Sequence, residues 1–259
     1  MQTRICSYRL AGSAALAILI SACGAHSSST SGPAGGPVPT NRMTISLRVE
    51  STEPGKAVVR ANLNDGKVLG DSYRLDGGDF FRACMLGTCR SMADNDSITS
   101  PDYIARFDYL PGVDYVVSFN RQQGQSAPDS RVVLPPDFTI VTPADHQQVT
   151  TGDTVQVSWS PTGAPASVSI SYSAECTFLS GAHGFSTGVL GYDENSDGVE
   201  SVKIDPMVDF SSTVTSPVTR CSIKLTVNHE LQGRVDPAFR TGLALGIVSR
   251  TVNLDYIAR

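Results

Sequence analysis

From residue 43 onward, apolar and polar positions alternate along the chain. Ile45, Leu47 and Val49 are separated by polar residues. So are Val59, Ala61 and Leu63, and that run ends at Asn64-Asp65-Gly66, a strong turn signal. A period of two is the mark of a strand with one face buried. Phe80 and Phe81 follow Gly77-Gly78. Ile104 to Tyr109 and Tyr115 to Phe119 form a further pair across Leu110-Pro111-Gly112, and Arg131 to Leu134 closes the series. A second series runs through Phe138 to Val141, Val155-Val157-Trp159, Val168-Ile170-Tyr172, Val199 to Ile204, Cys221-Ile223-Leu225-Val227 and Leu243 to Leu254. No segment keeps a helical apolar period over three turns. Short strands at this spacing predict an all-β fold, a sandwich or barrel. Pro135-Pro136 separates the two series with a short, semi-rigid joint.

The first forty residues follow another rule. Arg4 and Arg9 precede an eleven-residue apolar run from Leu10 to Ile20, which fits the core of a signal peptide and is too short for a stable bilayer span. Ile20-Ser21-Ala22-Cys23 follows. This resembles the lipobox of bacterial lipoproteins: a branched aliphatic, two small residues and a cysteine. The resemblance implies cleavage before Cys23, lipidation of its thiol, with palmitate as an acyl chain, and acylation of the new amino group. Gly24 rather than aspartate implies sorting to the outer membrane. The alternative is an ordinary cleaved signal with Ala22 at the cleavage site. Residues 24–40 are rich in serine, glycine and proline, so they read as a flexible tether. The expected organisation is a signal peptide over 1–22, a tether over 23–40, a first β-sandwich domain over 41–135 and a second over 136–259.

Thr142-Pro143-Ala144-Asp145, then Gly152-Asp153 and the alternating strand Thr154 to Trp159, resemble the opening of bacterial Ig-like domains. The resemblance implies an Ig-like or fibronectin-like β-sandwich for the second domain, with Trp159 as a core anchor. One departure stands: Trp159 precedes both cysteines of that domain instead of lying between them.

Composition narrows the function. Charged residues are 17% and hydrophobic residues 40% of the 259-residue chain, as in folded proteins. The formal charge is −5, and loss of Arg4 and Arg9 with the leader makes it −7. An acidic surface has no hold on phosphate backbones, so nucleic acid is not an expected partner. Cys6 leaves with the signal and Cys23 takes lipid. Cys84, Cys89, Cys176 and Cys221 remain, an even number that reads as two disulfides in an exported protein. Of three pairings, Cys84–Cys89 and Cys176–Cys221 keep each bond within one predicted domain.

Three motifs could carry chemistry. Gly184-Phe185-Ser186-Thr187-Gly188 matches the G-x-S-x-G of serine hydrolases, with His183 beside it. That motif needs a strand-to-helix turn, and the residues after it do not start a helix. Gly70-Asp71-Ser72-Tyr73 matches a second esterase block without its α/β context, so it reads as a turn. Asp193, Asn195 and Asp197, closed by Gly198, place oxygen ligands as in the first half of a calcium loop. Ile204 stands where the closing glutamate belongs, so any calcium site there is weak. Asp94-Asn95-Asp96 is a fainter version, after a predicted long loop over 82–102 stapled by Cys84–Cys89. The reading that follows is a lipid-anchored cell-envelope protein of non-enzymatic binding or structural type, with an envelope protein or glycan as partner. Loops 82–102 and 178–198 would make the contact. Two alternatives stay open: an envelope hydrolase using Ser186, or a subunit of a larger envelope assembly, which an exposed apolar patch on one sheet face would favour.

Overall fold

A computed structural model describes residues 27–29, 38–65, 72–95, 101–162, 167–193, 197–210 and 216–258. The leader and Cys23 lie outside them. The strands are β1 (Ser27–Ser29), β2 (Thr44–Ser51), β3 (Lys56–Asn64), β4 (Ser72–Arg74), β5 (Phe80–Met85), β6 (Thr88–Ser91), β7 (Ala93–Asp94), β8 (Tyr103–Asp108), β9 (Asp114–Asn120) and β10 (Ala127–Val133). They continue as β11 (Thr139–Thr142), β12 (Gln147–Val149), β13 (Thr154–Ser160), β14 (Ser167–Phe178), β15 (His183–Asp193), β16 (Val199–Lys203), β17 (Val218–Gln232) and β18 (Thr241–Ile257). One α-helical turn, α1 (Asp205–Val208), interrupts them among the described residues. The chain is all-β.

An eleven-stranded sheet has the order β1-β4-β3-β2-β18-β17-β14-β15, with β8 also on β3, β7 on β8 and β12 on β18. A four-stranded sheet, β10-β9-β5-β6, covers the β3-β2 end, and a three-stranded sheet, β11-β13-β16, covers the β17-β14 end. Alternation does the folding work. In β2, Ile45, Leu47, Val49 and Ser51 are buried while Arg48 is exposed. They face Phe81, Tyr115 and Phe119, each nearly free of solvent contact. Phe81 lies 5.6 Å from Tyr103 and 5.1 Å from Phe119, centroid to centroid. Each such side chain contributes about 1.5–3 kcal/mol by leaving water. At the other end Trp159, Phe138, Ile170, Ile223 and Leu225 form the centre, so Trp159 is the core anchor expected.

The two series of strands meet in β18. Thr241 to Val248 pair in parallel with Thr44 to Ser51 of β2, while β17 pairs antiparallel along β18 from Leu245 to Ile257. One strand therefore serves both sandwiches. Gly246 allows this: a Cβ there would lie 2.0 Å from the Val133 carbonyl oxygen, so β10 could not lie so close. The joint is bonded as well. Tyr109 Oη donates to the Pro135 carbonyl at 2.8 Å, and burial pushes the phenol up to about 12. Arg250 pairs with Asp137 and donates to the Ser51 carbonyl at 3.2 Å. Asp145, from the Pro-x-Asp turn, accepts from the Asn253 backbone N–H at 2.9 Å and from its amide at 3.0 Å. Those bonds hold its carboxyl below the usual carboxylate range.

Both disulfides form in the favoured pairing, Cys84–Cys89 and Cys176–Cys221. On loop closure alone they contribute about 2 and 4 kcal/mol, because they close 5-residue and 45-residue separations. Two expected loops are strands instead. Residues 80–91 form a tight hairpin in which Met85 pairs with Thr88, and Leu86 and Gly87 turn with φ 46° and 80°. This turn geometry favours Asn-Gly, and Leu-Gly hides it. Much of the 178–198 stretch is β15.

One polar side chain in the core stands apart. His229 of β17 is 1% exposed, stacked on Phe138 at 3.8 Å and 10°, with the Trp159 ring edge-on at 6.0 Å. Neither ring nitrogen has a hydrogen-bond partner among the described residues. Burial pushes its pKa from 6.5 down to about 4. The unfolded chain therefore binds a proton that the folded chain refuses between those values. Stability is full above about pH 6.5 and falls as pH drops toward 4, by up to about 3 kcal/mol. Urea unfolding of wild type should show this slope, and His229→Leu should remove that part of it. Identical slopes in both proteins would rule out His229 as its source.

Candidate functional site

The G-x-S-x-G match lies within β15, not at a turn. Gly184, Ser186 and Gly188 fall on its inner face, and His183, Phe185, Thr187 and Val189 on its outer face. The glycines make room for rings. A Cβ at Gly188 would lie 2.7 Å from the Tyr172 ring, and one at Gly184 would lie 2.8 Å from Phe178. Ser186 Oγ shares a hydrogen bond of 3.1 Å with Tyr172 Oη. Neither nearby histidine reaches it. His183 points to the opposite face. His229 pairs with Val168 of β14, whereas Ser186 pairs with Ala174. Six residues of strand put them about 20 Å apart. The motif is a packing pattern: small residues at alternate positions under aromatic rings.

The calcium candidates are only partly described. Asp193 ends β15, Asn195 lies outside the described residues, and Asp197 Oδ1 accepts the Val199 N–H at 3.1 Å. Asp94 of the fainter acidic stretch is bonded by Arg74 at 2.7 Å, while Asp96 lies outside. Among the described residues no group of three or more histidines, cysteines or acids is placed to hold a metal ion. Gly70 and Asp71 of the second esterase block also lie outside the described residues, and Ser72 opens β4.

The structure assembles a different cluster, which the sequence did not signal. On the outer face of the large sheet, β15, β14, β17, β18 and β12 present side chains in two rows. His183, Thr177, Arg220 and Ile257 are neighbours across the ladders, and Glu175, Ser222, Asp255 and Gln148 form the next row. Together they line a depression of about 510 Å³, with the Cys176–Cys221 bond on the buried face of the same strands. Glu175, His183 and Arg220 make no side-chain hydrogen bond or ion pair among the described residues. Asp255 is met by His146 Nδ1 at 3.3 Å. Residues of one strand are spaced by two, and neighbouring strands are distant in sequence, so no local motif could reveal such a surface.

Comparison with known proteins adds little. No family model matches the chain, and no curated protein does. Among solved structures it is similar to one titled "Cytokine receptor complex - Crystal form 2", at 11% identity over 77% of this chain and 97% of that one, TM-score 0.25. It is also similar to the fibronectin(III)-like modules of Clostridium thermocellum CbhA, at 11% identity over 84% of this chain and 94% of that one, TM-score 0.25. The fold assignment rests on the strand ladders themselves.

If Ser186 only packs, Ser186→Ala should leave hydrolysis of a chromogenic acetyl ester unchanged from wild type and cost about 1 kcal/mol or less. Gly188→Val should cost about 1–3 kcal/mol, because its side chain meets the Tyr172 ring. Ester turnover that disappears with Ser186→Ala would restore the hydrolase reading.

Proposed function

We propose that this chain is a lipid-anchored protein of the cell envelope that acts as a non-enzymatic binding module. The depression carrying Glu175, His183 and Arg220 supports the reading most directly. Unpaired donors and acceptors of both charge signs stand on a rigid, disulfide-braced sheet, which is how a surface holds a polar partner without remodelling. An envelope protein or glycan, rich in hydroxyl and amide groups, suits that mixture. Lipidation of Cys23 would hold the module at the membrane, marginally with a single acyl chain and stably with several.

Two measurements test the reading. A fatty-acid analogue fed to growing cells should label the wild type and not Cys23→Ala; an unlabelled wild type removes the anchor. A photo-reactive residue at Ser222 should cross-link the protein to an envelope component in intact cells. Glu175→Ala with Arg220→Ala should abolish that adduct and leave the thermal midpoint in place. An adduct that survives the double change would place the contact elsewhere.

A further inference from the structure

The eleven-residue strand β15 ends the large sheet. Among the described residues it pairs on one side only, with β14. In an antiparallel ladder, alternate residues turn their N–H and C=O away from the partner strand. The outer edge of β15 therefore carries a row of open backbone groups. Proteins normally blunt such edges with charge, proline, bulges or short strands; β15 carries one bulge, at Leu190, beyond the stretch from Phe185 to Val189. Other edges here follow that rule: β6 has four residues including Arg90, and β16 has five including Glu200 and Lys203. From Gly184 to Tyr192, β15 has no charged residue and no proline. Its outer face exposes Phe185 at 68% and Val189 at 74%.

The occupant is not the tether. Ser27 to Ser29 pair with β4 at the opposite end of the sheet. Six strand spacings separate β4 from β15, roughly 30 Å. The four residues from Cys23 to His26 reach at most about 14 Å. The strip instead complements itself. Phe185 and Val189 flank Thr187 at equal distance on one face. A twofold axis at Thr187 puts Phe185 of each copy opposite Val189 of the other, an aromatic on a β-branched residue, which is a favourable cross-strand pair. Two chains of the same net charge also meet there across an uncharged seam.

We propose that β15 pairs antiparallel with β15 of a second copy about a twofold axis at Thr187, which joins two eleven-stranded sheets into one. This goes beyond the binding reading and depends neither on the anchor nor on the depression. The test uses the full chain carrying Thr187→Cys, which places the two thiols opposite each other on the axis. Non-reducing electrophoresis should show a disulfide-linked dimer that Ser222→Cys, on the same sheet face, does not form. Adding Phe185→Lys and Val189→Lys should abolish the dimer, because like charges then face each other. Adding Phe185→Lys and Val189→Glu should restore it, since each lysine then faces a glutamate. No dimer beyond the Ser222→Cys control overturns the proposal, as does a dimer that survives the double lysine change. Failure of the lysine–glutamate pair to restore it overturns the register. Capture of Thr187→Cys in a mixed adduct, without dimer, assigns the edge to another protein and also overturns self-pairing.

Discussion

Strand β18 is the constraint on which the rest of the molecule depends. It is bonded to β17 on one side and to β2 and β12 on the other, so it belongs to both sandwiches. Neither can swing away without breaking backbone hydrogen bonds in the interior, where the freed groups would have no water. The Pro135-Pro136 joint is thus a short connection within a shared framework. Because β2 and β18 are far apart in sequence, their pairing is among the contacts that carry a loop-closure cost in folding. The outer face of the large sheet then has a fixed shape, and this is what lets Glu175, Arg220 and Asp255 act as one surface although they lie on three strands.

Much of this architecture was legible in the sequence because a period of two reports which face of a strand is buried. It located β8 and β9, and β2, β3, β13 and β17 with their inward residues, while cysteine parity and confinement of each bond to one series located the disulfides. The same period is silent on partners. Nothing in Thr241 to Ile257 announces that it pairs with Thr44 to Ser51. Strand β15 was missed for a sharper reason. Its inward positions hold Gly184, Ser186 and Gly188, and its apolar Phe185 and Val189 face outward. Its hydrophobic pattern is inverted, so it reads as a loop with a hydrolase motif. The inversion is itself informative, since it arises where the interior is filled by rings from the next strand and the exterior is apolar.

Two of the buried polar side chains, His229 and Arg121, reach opposite solutions. His229 stays neutral between Phe138 and Trp159 and gives up its hydrogen bonds. Arg121 is instead paired. Its guanidinium meets Asp79 at 3.0 Å with both side chains almost wholly buried, and it donates to the Val38 carbonyl at 2.6 Å and to Thr40 Oγ1 at 3.2 Å. The first fills a packing position and refuses a proton there. The second ties the start of the folded region to the β5-β9 sheet, and loss of either partner would strand a buried charge.

That clamp has a mechanical meaning. A load arriving through the N-terminal segment meets the three-residue β1–β4 pairing, then Arg121 at Val38 and Thr40, and then the start of β2. Strand β2 is paired along its length with β3 on one side and β18 on the other. A pull along its axis strains those rungs together in shear instead of peeling them open one by one. A pull on this end would therefore load β2 along its length, and through it β18, the strand that both sandwiches share.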